Sequence, residues 1–161
     1  MRYAAIKEND IVDGVGISVS FWCQGCPFHC KGCHNEHTWD FDGGIEEDKY
    51  ALMDRVVELI GKNGVERNLS ILGGEPLCDP NKYFVSDLIR KVREAYPEIT
   101  IYLWTGYVIE KLQSMNDGVI DYILSEVDIL VDGPFLVEQR DITLELRGSP
   151  NQRILKRGVD F

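Results

Sequence analysis

Short apolar segments alternate with amphipathic stretches along most of this 161-residue chain. Four segments have the β-branched and aromatic content of buried strands, at residues 17–22, 69–72, 99–104 and 128–132. Three stretches between them carry apolar residues at helical spacing, at residues 46–62, 81–96 and 108–115. This alternation predicts a single α/β domain over residues 1–161, built on parallel strands with helices outside. A closed eight-stranded barrel needs about 250 residues, so we expect a partial, TIM-like barrel or an open sheet.

Each predicted strand runs into an unusual sequence. The first leads into a cysteine-rich loop, and the others end at Gly73-Gly74-Glu75-Pro76, Thr105-Gly106 and Asp132-Gly133-Pro134. In parallel α/β folds the loops at the carboxyl ends of the strands converge, and ligands bind there. The order of the elements therefore predicts a functional site at this edge.

The cysteine-rich loop carries Cys26, Cys30 and Cys33 in a C-x3-C-x2-C spacing. Three thiolates this close in sequence can hold three corners of a cubic iron–sulfur cluster. The fourth iron, without a protein ligand, would be open to a substrate. Such a cluster is anionic, so it favours a cationic ligand, and backbone N–H groups around Gly32 would help to hold it.

A second interpretation of the same loop adds Cys23. Cys23-x2-Cys26 and Cys30-x2-Cys33 resemble two zinc knuckles, which together would form a four-cysteine site. Only three residues separate the two pairs, whereas zinc ribbons place them far apart. The spacing favours the open three-cysteine site, and it leaves the four-cysteine site as the alternative. Cys78, after the glycine turn, is expected to be a small buried residue.

Charge and hydropathy exclude several function classes. Lys and Arg total 17 against 27 for Asp and Glu, so the formal net charge is −10 and a nucleic acid would be repelled. No apolar run approaches the roughly 20 residues that cross a bilayer, and residues 1–8 lack the features of a signal peptide. We therefore expect a cytoplasmic protein with no nucleic-acid or membrane partner, whose clustered cysteines serve metal or redox chemistry.

Five segments together resemble a known family. They are Cys26–Trp39, Gly73–Leu77, Leu103–Tyr107, Val131–Phe135 and Arg147–Arg153, and they spread over nearly the whole chain. The combination resembles the radical S-adenosylmethionine (SAM) superfamily, and within it the small activating proteins of anaerobic ribonucleoside-triphosphate reductase. Many members of the wider superfamily carry an aromatic residue at the position of Gly32, whereas the reductase activators resemble this sequence there.

The resemblance implies a mechanism. Cys26, Cys30 and Cys33 would ligate a [4Fe–4S] cluster, whose free iron would chelate the amino and carboxylate groups of SAM. Reductive cleavage of SAM would give methionine and a 5′-deoxyadenosyl radical, and this radical would take a hydrogen atom from a glycine Cα of the reductase large subunit. An external donor such as flavodoxin would supply the electron. An activator of another glycyl-radical enzyme, of the pyruvate formate-lyase type, and a non-catalytic metal or electron-transfer module are the alternatives.

The resemblance also implies contacts with SAM. Backbone carbonyls at Gly73 and Gly74 would meet the SAM ammonium, and Glu75 would add negative charge or a structural hydrogen bond. The backbone of Gly32, Cys33 and His34 would contact the adenine side. Further candidates for the ribose or methionine are Thr105 and Asp132. We expect Trp39 and Phe41 to cover the cysteine loop, Trp104 to lie in the core, and the tail from Pro134 to cover the site or dock on the reductase.

Overall fold

The computed structural model describes residues 1–161 as one mixed β-sheet with helices packed against it. The strands are β1 (Arg2–Asp10), β2 (Ser18–Cys23), β3 (Ile45–Glu46), β4 (Asn68–Gly73), β5 (Ile101–Trp104), β6 (Ile129–Asp132) and β7 (Arg153–Lys156). The helices are α1 (Lys49–Ile60), α2 (Asn81–Ala95), α3 (Ile109–Ser114) and α4 (Gly118–Glu126). None of the four helices combines the length and apolar character that spanning a bilayer requires.

The seven strands follow the order β3-β1-β2-β4-β5-β6-β7, and the sheet is not closed. Only its four central strands, β2, β4, β5 and β6, run parallel to one another. The parallel arrangement predicted for these four strands is confirmed. The strands β1, β3 and β7, to which the sequence analysis assigned no element, add antiparallel edges. The α/β class and the open sheet predicted from the alternation are confirmed.

The two faces of the sheet differ in what covers them. Phe21, Ile71 and Leu103 point towards the helices and belong to a core of 26 buried residues. Their chain neighbours Trp22, Leu72 and Trp104 point to the opposite face, because successive side chains of a strand alternate.

The loop between β1 and β2 covers part of the second face. Tyr102 accepts a hydrogen bond on its hydroxyl from the Val15 N–H (3.2 Å), and Ser70 donates one to the Asp13 carbonyl. Ser20 donates to the buried Asp10 carboxylate (2.7 Å). The half of this face nearest the carboxyl ends of the parallel strands remains open.

Short polar residues set the ends of two helices. Asp48 caps α1 by accepting from the N–H groups of Tyr50 and Ala51. Asp117 caps α4 in the same way, through the N–H groups of Val119 and Ile120. The sequence analysis assigned no element to α4, which has only nine residues and begins at a glycine.

Candidate iron–sulfur site

A cavity of about 160 Å³ lies where the parallel strands end, and the three cysteines of the C-x3-C-x2-C loop line it. We call it the cysteine cavity. Its remaining walls come from the loops that follow β4, β5 and β6 and from the tail. The lining residues are Cys26, Phe28, Cys30, Cys33, Asn35, Trp39, Leu72, Gly73, Gly74, Glu75, Trp104, Thr105, Gly106, Gly133, Phe135 and Gln152. The structure thus brings together residues from all four unusual sequences that follow the predicted strands.

Backbone hydrogen bonds close the cysteine loop at its stem. Gly25 and Cys26 donate to the carbonyls of Thr38 (2.7 Å) and Trp39 (3.1 Å). Within the loop Cys33 donates to the Cys30 carbonyl (3.0 Å), and Gly32 takes a positive φ of 71° that favours glycine. The loop is therefore a folded turn that places its three cysteine residues along the cavity.

The five cysteines fall into two groups. Cys26, Cys30 and Cys33 are partly exposed and line the cavity, whereas Cys23 and Cys78 are buried. Cys23 lies in the hydrophobic core on the helical side of β2, and the Cys78 thiol donates to the Glu75 carbonyl (3.1 Å). A four-cysteine site would require Cys23 to leave the core, so the arrangement favours three ligands.

The chemistry of these sulfur atoms suits a positively charged inorganic group. Burial raises the pKa of Cys26 to about 11, and it also raises the pKa of Cys30. Both thiols are therefore protonated near neutral pH in the absence of a cation, and a cation would displace their protons. The Asn35 N–H, which donates to Cys33 Sγ (3.3 Å), is oriented to stabilise a thiolate there. The residues present fit an iron–sulfur cluster held by three cysteines.

The glycine turn contributes part of the cavity wall. Gly74 donates to the Cys23 carbonyl and Glu75 donates to the Gly25 carbonyl (both 2.9 Å), so the glycine turn packs on the stem of the cysteine loop. Gly73 has a φ of 100°, and a Cβ there would come within 2.8 Å of the Cys23 backbone. Only glycine permits this approach.

Glu75 is buried beneath this turn, and its carboxylate binds other groups of the protein. Its carboxylate accepts from the Leu77 N–H (2.8 Å), the Thr105 hydroxyl (2.8 Å) and the Gly106 N–H (2.7 Å). Burial raises the pKa of Glu75 to about 7, although the three donors act in the opposite direction. Of the two roles expected for Glu75, the structure shows the structural hydrogen bonds.

The other residues expected near SAM occupy different places. Thr105 lines the cavity, but its hydroxyl is engaged by Glu75. Asp132 is fully buried and binds Arg153 and the Ile109 N–H (2.7 Å), so it does not line the cavity. Gly32 and His34 also lie outside the lining, and the His34 ring packs against Phe135 (5.8 Å between ring centroids).

The aromatic residues around the site follow the expectations in part. Trp39 covers the cysteine loop and stacks on His29, with ring centroids 4.7 Å apart. Phe41 lies against Gly25, at the stem of the loop. The expectation that Trp104 lies in the core was wrong: it faces the open side of the sheet, lines the cavity and donates to the Leu146 carbonyl (2.6 Å).

Two positioning residues were missed by the sequence analysis. Asn81 donates to the carbonyls of Gln24 (3.0 Å), Gly25 (3.3 Å) and Glu75 (3.0 Å), and it thereby joins the cysteine loop to the glycine turn. Nothing in the sequence distinguishes it from an ordinary helix start. Gln152 joins the tail to the site, because it accepts from the Gly148 N–H (2.9 Å) and donates to the Gly133 carbonyl (3.1 Å). Its position in the segment Arg147–Arg153 is the signal that could have identified it.

Comparisons with known proteins agree with this geometry. The family described as "4Fe-4S single cluster domain" matches residues 12–155. Proteins named "anaerobic ribonucleoside-triphosphate reductase-activating protein" match nearly full length. The one from Vibrio cholerae is 35% identical over 96% of this chain and 97% of its own length, and the one from Escherichia coli K12 is 33% identical over 94% and 96%. The one from Enterobacteria phage T4 is 34% identical over 96% and 93%.

These relatives exceed the similarity at which a shared fold and family are secure, and the family match covers the whole cysteine loop together with the glycine turn. The chain belongs to the family of anaerobic ribonucleoside-triphosphate reductase-activating proteins, with a 4Fe-4S cluster domain.

Proposed function

We propose that this protein is a radical SAM enzyme that installs a glycyl radical in the large subunit of an anaerobic ribonucleoside-triphosphate reductase. The observation that carries the proposal is the division of the cysteines. Three of them line one cavity beside the Gly73-Gly74 turn, and the other two are buried. In the proposal the open sheet is a partial barrel of the radical SAM type, and the protein works in the cytoplasm.

In this function Cys26, Cys30 and Cys33 hold a [4Fe–4S] cluster, and SAM binds between the cysteine loop and the glycine turn. The chemistry that such a cluster supplies when bound is transfer of one electron to SAM, which breaks the C5′–S bond into methionine and a 5′-deoxyadenosyl radical. The radical takes one hydrogen atom from a glycine Cα of the reductase, which leaves 5′-deoxyadenosine and a glycyl radical. The electron comes from an external donor, for which flavodoxin is our proposal.

The protein's own residues orient the substrate and exclude water. Carbonyl groups at Gly73 and Gly74 accept from the SAM ammonium, while the backbone beside Cys33, from Gly32 to His34, lies on the adenine side. Glu75 acts beneath them as a positioning residue, because its three hydrogen bonds join the turn to the loop after β5. Trp39 and Phe28 cover the site from solvent on the side of the cysteine loop.

The test is anaerobic reconstitution with iron and sulfide, followed by addition of SAM and a strong reductant. We expect 5′-deoxyadenosine from the wild-type protein and none from Cys30→Ala, because one cluster ligand is lost. The matched control is Cys23→Ala, which removes a buried thiol and should keep both iron and activity. Electron paramagnetic resonance of the mixture with the reductase should then show a glycyl radical.

Each alternative predicts a different result. An iron-loaded protein that makes no 5′-deoxyadenosine, even with the reductase present, would indicate a metal or electron-transfer module. Loss of iron from Cys23→Ala would indicate a four-cysteine site. A glycyl radical formed on a pyruvate formate-lyase type enzyme, and not on the reductase, would assign a different partner.

A further inference from the structure

A second cavity opens beside the cysteine cavity, on the face of the sheet opposite the helices. It has a volume of about 450 Å³ and is continuous with the cysteine cavity, since Asn35, Leu72, Trp104 and Gln152 line both. We call it the lateral groove. Its walls are the β1–β2 loop on one side and the tail on the other, and Trp22 and Trp104 form part of its floor. It therefore gives a polypeptide a route to the three cysteines.

The rim of the groove is apolar and faces solvent. Val12 on the β1–β2 loop is 75% exposed, and Ile142 on the tail is 82% exposed. Leu144 and Leu146 continue the apolar wall, and Trp104 fixes the backbone of Leu146 through its indole N–H. Exposed aliphatic residues on both rims of one groove are typical of a surface that binds another protein.

The groove also carries two arginines that lack a carboxylate partner. Most Lys and Arg side chains of this acidic protein form ion pairs, but Arg140 and Arg147 form none. Arg140 is exposed, and Arg147 uses one guanidinium nitrogen to donate to the Gln152 carbonyl (2.7 Å). The Nε of Arg147 is buried and has no hydrogen-bond partner. Both side chains are therefore available to an acidic ligand.

Two carboxylates line the groove as well, and neither forms an ion pair with the arginines. Asp141 accepts from the N–H (2.9 Å) and the hydroxyl (2.6 Å) of Thr143. Burial and the neighbouring Asp10 raise the pKa of Asp13 to about 7, so its charge is partly lost at neutral pH.

We propose that the lateral groove binds an extended segment of the reductase that combines apolar side chains with at least one carboxylate. The apolar side chains pack against Val12, Ile142 and the floor of the groove, and the carboxylate binds Arg140 and Arg147. The segment then leads the reacting glycine into the cysteine cavity. This inference rests on the proposed function, and it adds the chemistry by which the partner is recognised.

The experiment measures the dissociation constant of the metal-free protein for the reductase large subunit under anaerobic conditions. We expect Arg140→Glu and Arg147→Glu each to weaken binding about tenfold. Added salt should weaken binding of the wild type more than binding of the variant that carries both substitutions. The matched control is Lys156→Glu, which makes the same charge change on an exposed, unpaired cation at the opposite end of the sheet. It should bind as the wild type does.

Several outcomes would overturn the proposal. Equal weakening by Lys156→Glu would show an effect of net charge alone, and unchanged binding in both arginine variants would place the partner elsewhere. Self-association of the wild type that the arginine variants abolish would make the groove an interface between copies of this chain. Substitution of Arg147 removes its hydrogen bond to the Gln152 carbonyl and could disturb the fold of the tail. Val12→Asp, on the opposite rim, is therefore a second variant that leaves the tail unchanged. It should also weaken binding.

Cleavage of SAM by the wild-type protein, measured with and without the reductase, separates the two proposals. Its absence even with the reductase present would refute the proposed function whatever the binding data show. Its presence, together with unchanged binding in the groove variants, would refute the groove alone.

Discussion

The clearest test of the buried charge beneath the site is Glu75→Gln in the metal-free protein. The folded state raises the pKa of Glu75 from 4.5 to about 7. Between these values the folded protein keeps a proton that the unfolded chain has released, so the contribution of Glu75 to stability falls as pH rises from 4.5 to 7. Each pH unit corresponds to about 1.4 kcal/mol, so the loss is about 3 kcal/mol. A glutamine does not titrate and shows no such loss.

Urea unfolding of both proteins, followed by tryptophan fluorescence from pH 4.5 to 8, measures this difference. We expect the free energy of unfolding of the wild type to fall by about 3 kcal/mol more than that of Glu75→Gln over this range. Asp13 titrates in both proteins, so it cancels in the comparison. If the free energy of unfolding changed with pH in the same way for both proteins, the three donors would be keeping Glu75 ionised at low pH, and the reasoning would be refuted.

Further substitutions test the packing around the site. Gly74→Ala places a Cβ inside contact distance of the Gly25 carbonyl, so we expect a loss of about 1–3 kcal/mol in thermal unfolding. Gly118→Ala, whose Cβ meets nothing within 4 Å, should be neutral or stabilising, and equal effects of the two would contradict the argument. Arg153→Leu leaves the buried Asp132 carboxylate without its cation, so the free energy of unfolding measured with urea should fall by about 1–3 kcal/mol. Adding Asp132→Asn should recover part of that loss, and a strictly additive effect would argue against the pairing.

The sequence predicted the central strands because they are short segments rich in β-branched and aromatic residues, and it predicted the first three helices because their apolar residues recur at helical spacing. The prediction of residues 69–72 as a strand and 81–96 as a helix agrees with β4 and α2 to within about one residue at each end. The antiparallel edges gave no such signal. β1 alternates poorly between polar and apolar residues, and β3 has only two residues, so their pairing depends on tertiary contacts rather than on local pattern.

In the candidate site, too, features encoded by local sequence were predictable, and features that depend on tertiary contacts were not. Cys26, Cys30 and Cys33 are close in sequence, so their spacing alone predicted that they act together. The role of Asn81 depends on three carbonyl groups from two distant loops, and no local pattern encodes such a convergence. Asp132 is the reverse case. Its position at a strand end suggested a contact with SAM, but its carboxylate binds Arg153, which lies 21 positions later in the chain.

The hydrophobic core has a consequence for how this protein is made in the cell. None of the three loop cysteines belongs to the core, and backbone hydrogen bonds close the stem of their loop. Small metal-dependent domains unfold when the metal is removed, because the metal supplies their folding energy. Here the core is complete without the loop cysteines, so we expect the chain to fold before iron and sulfide are delivered. Limited proteolysis of the metal-free protein should then leave the sheet and helices intact.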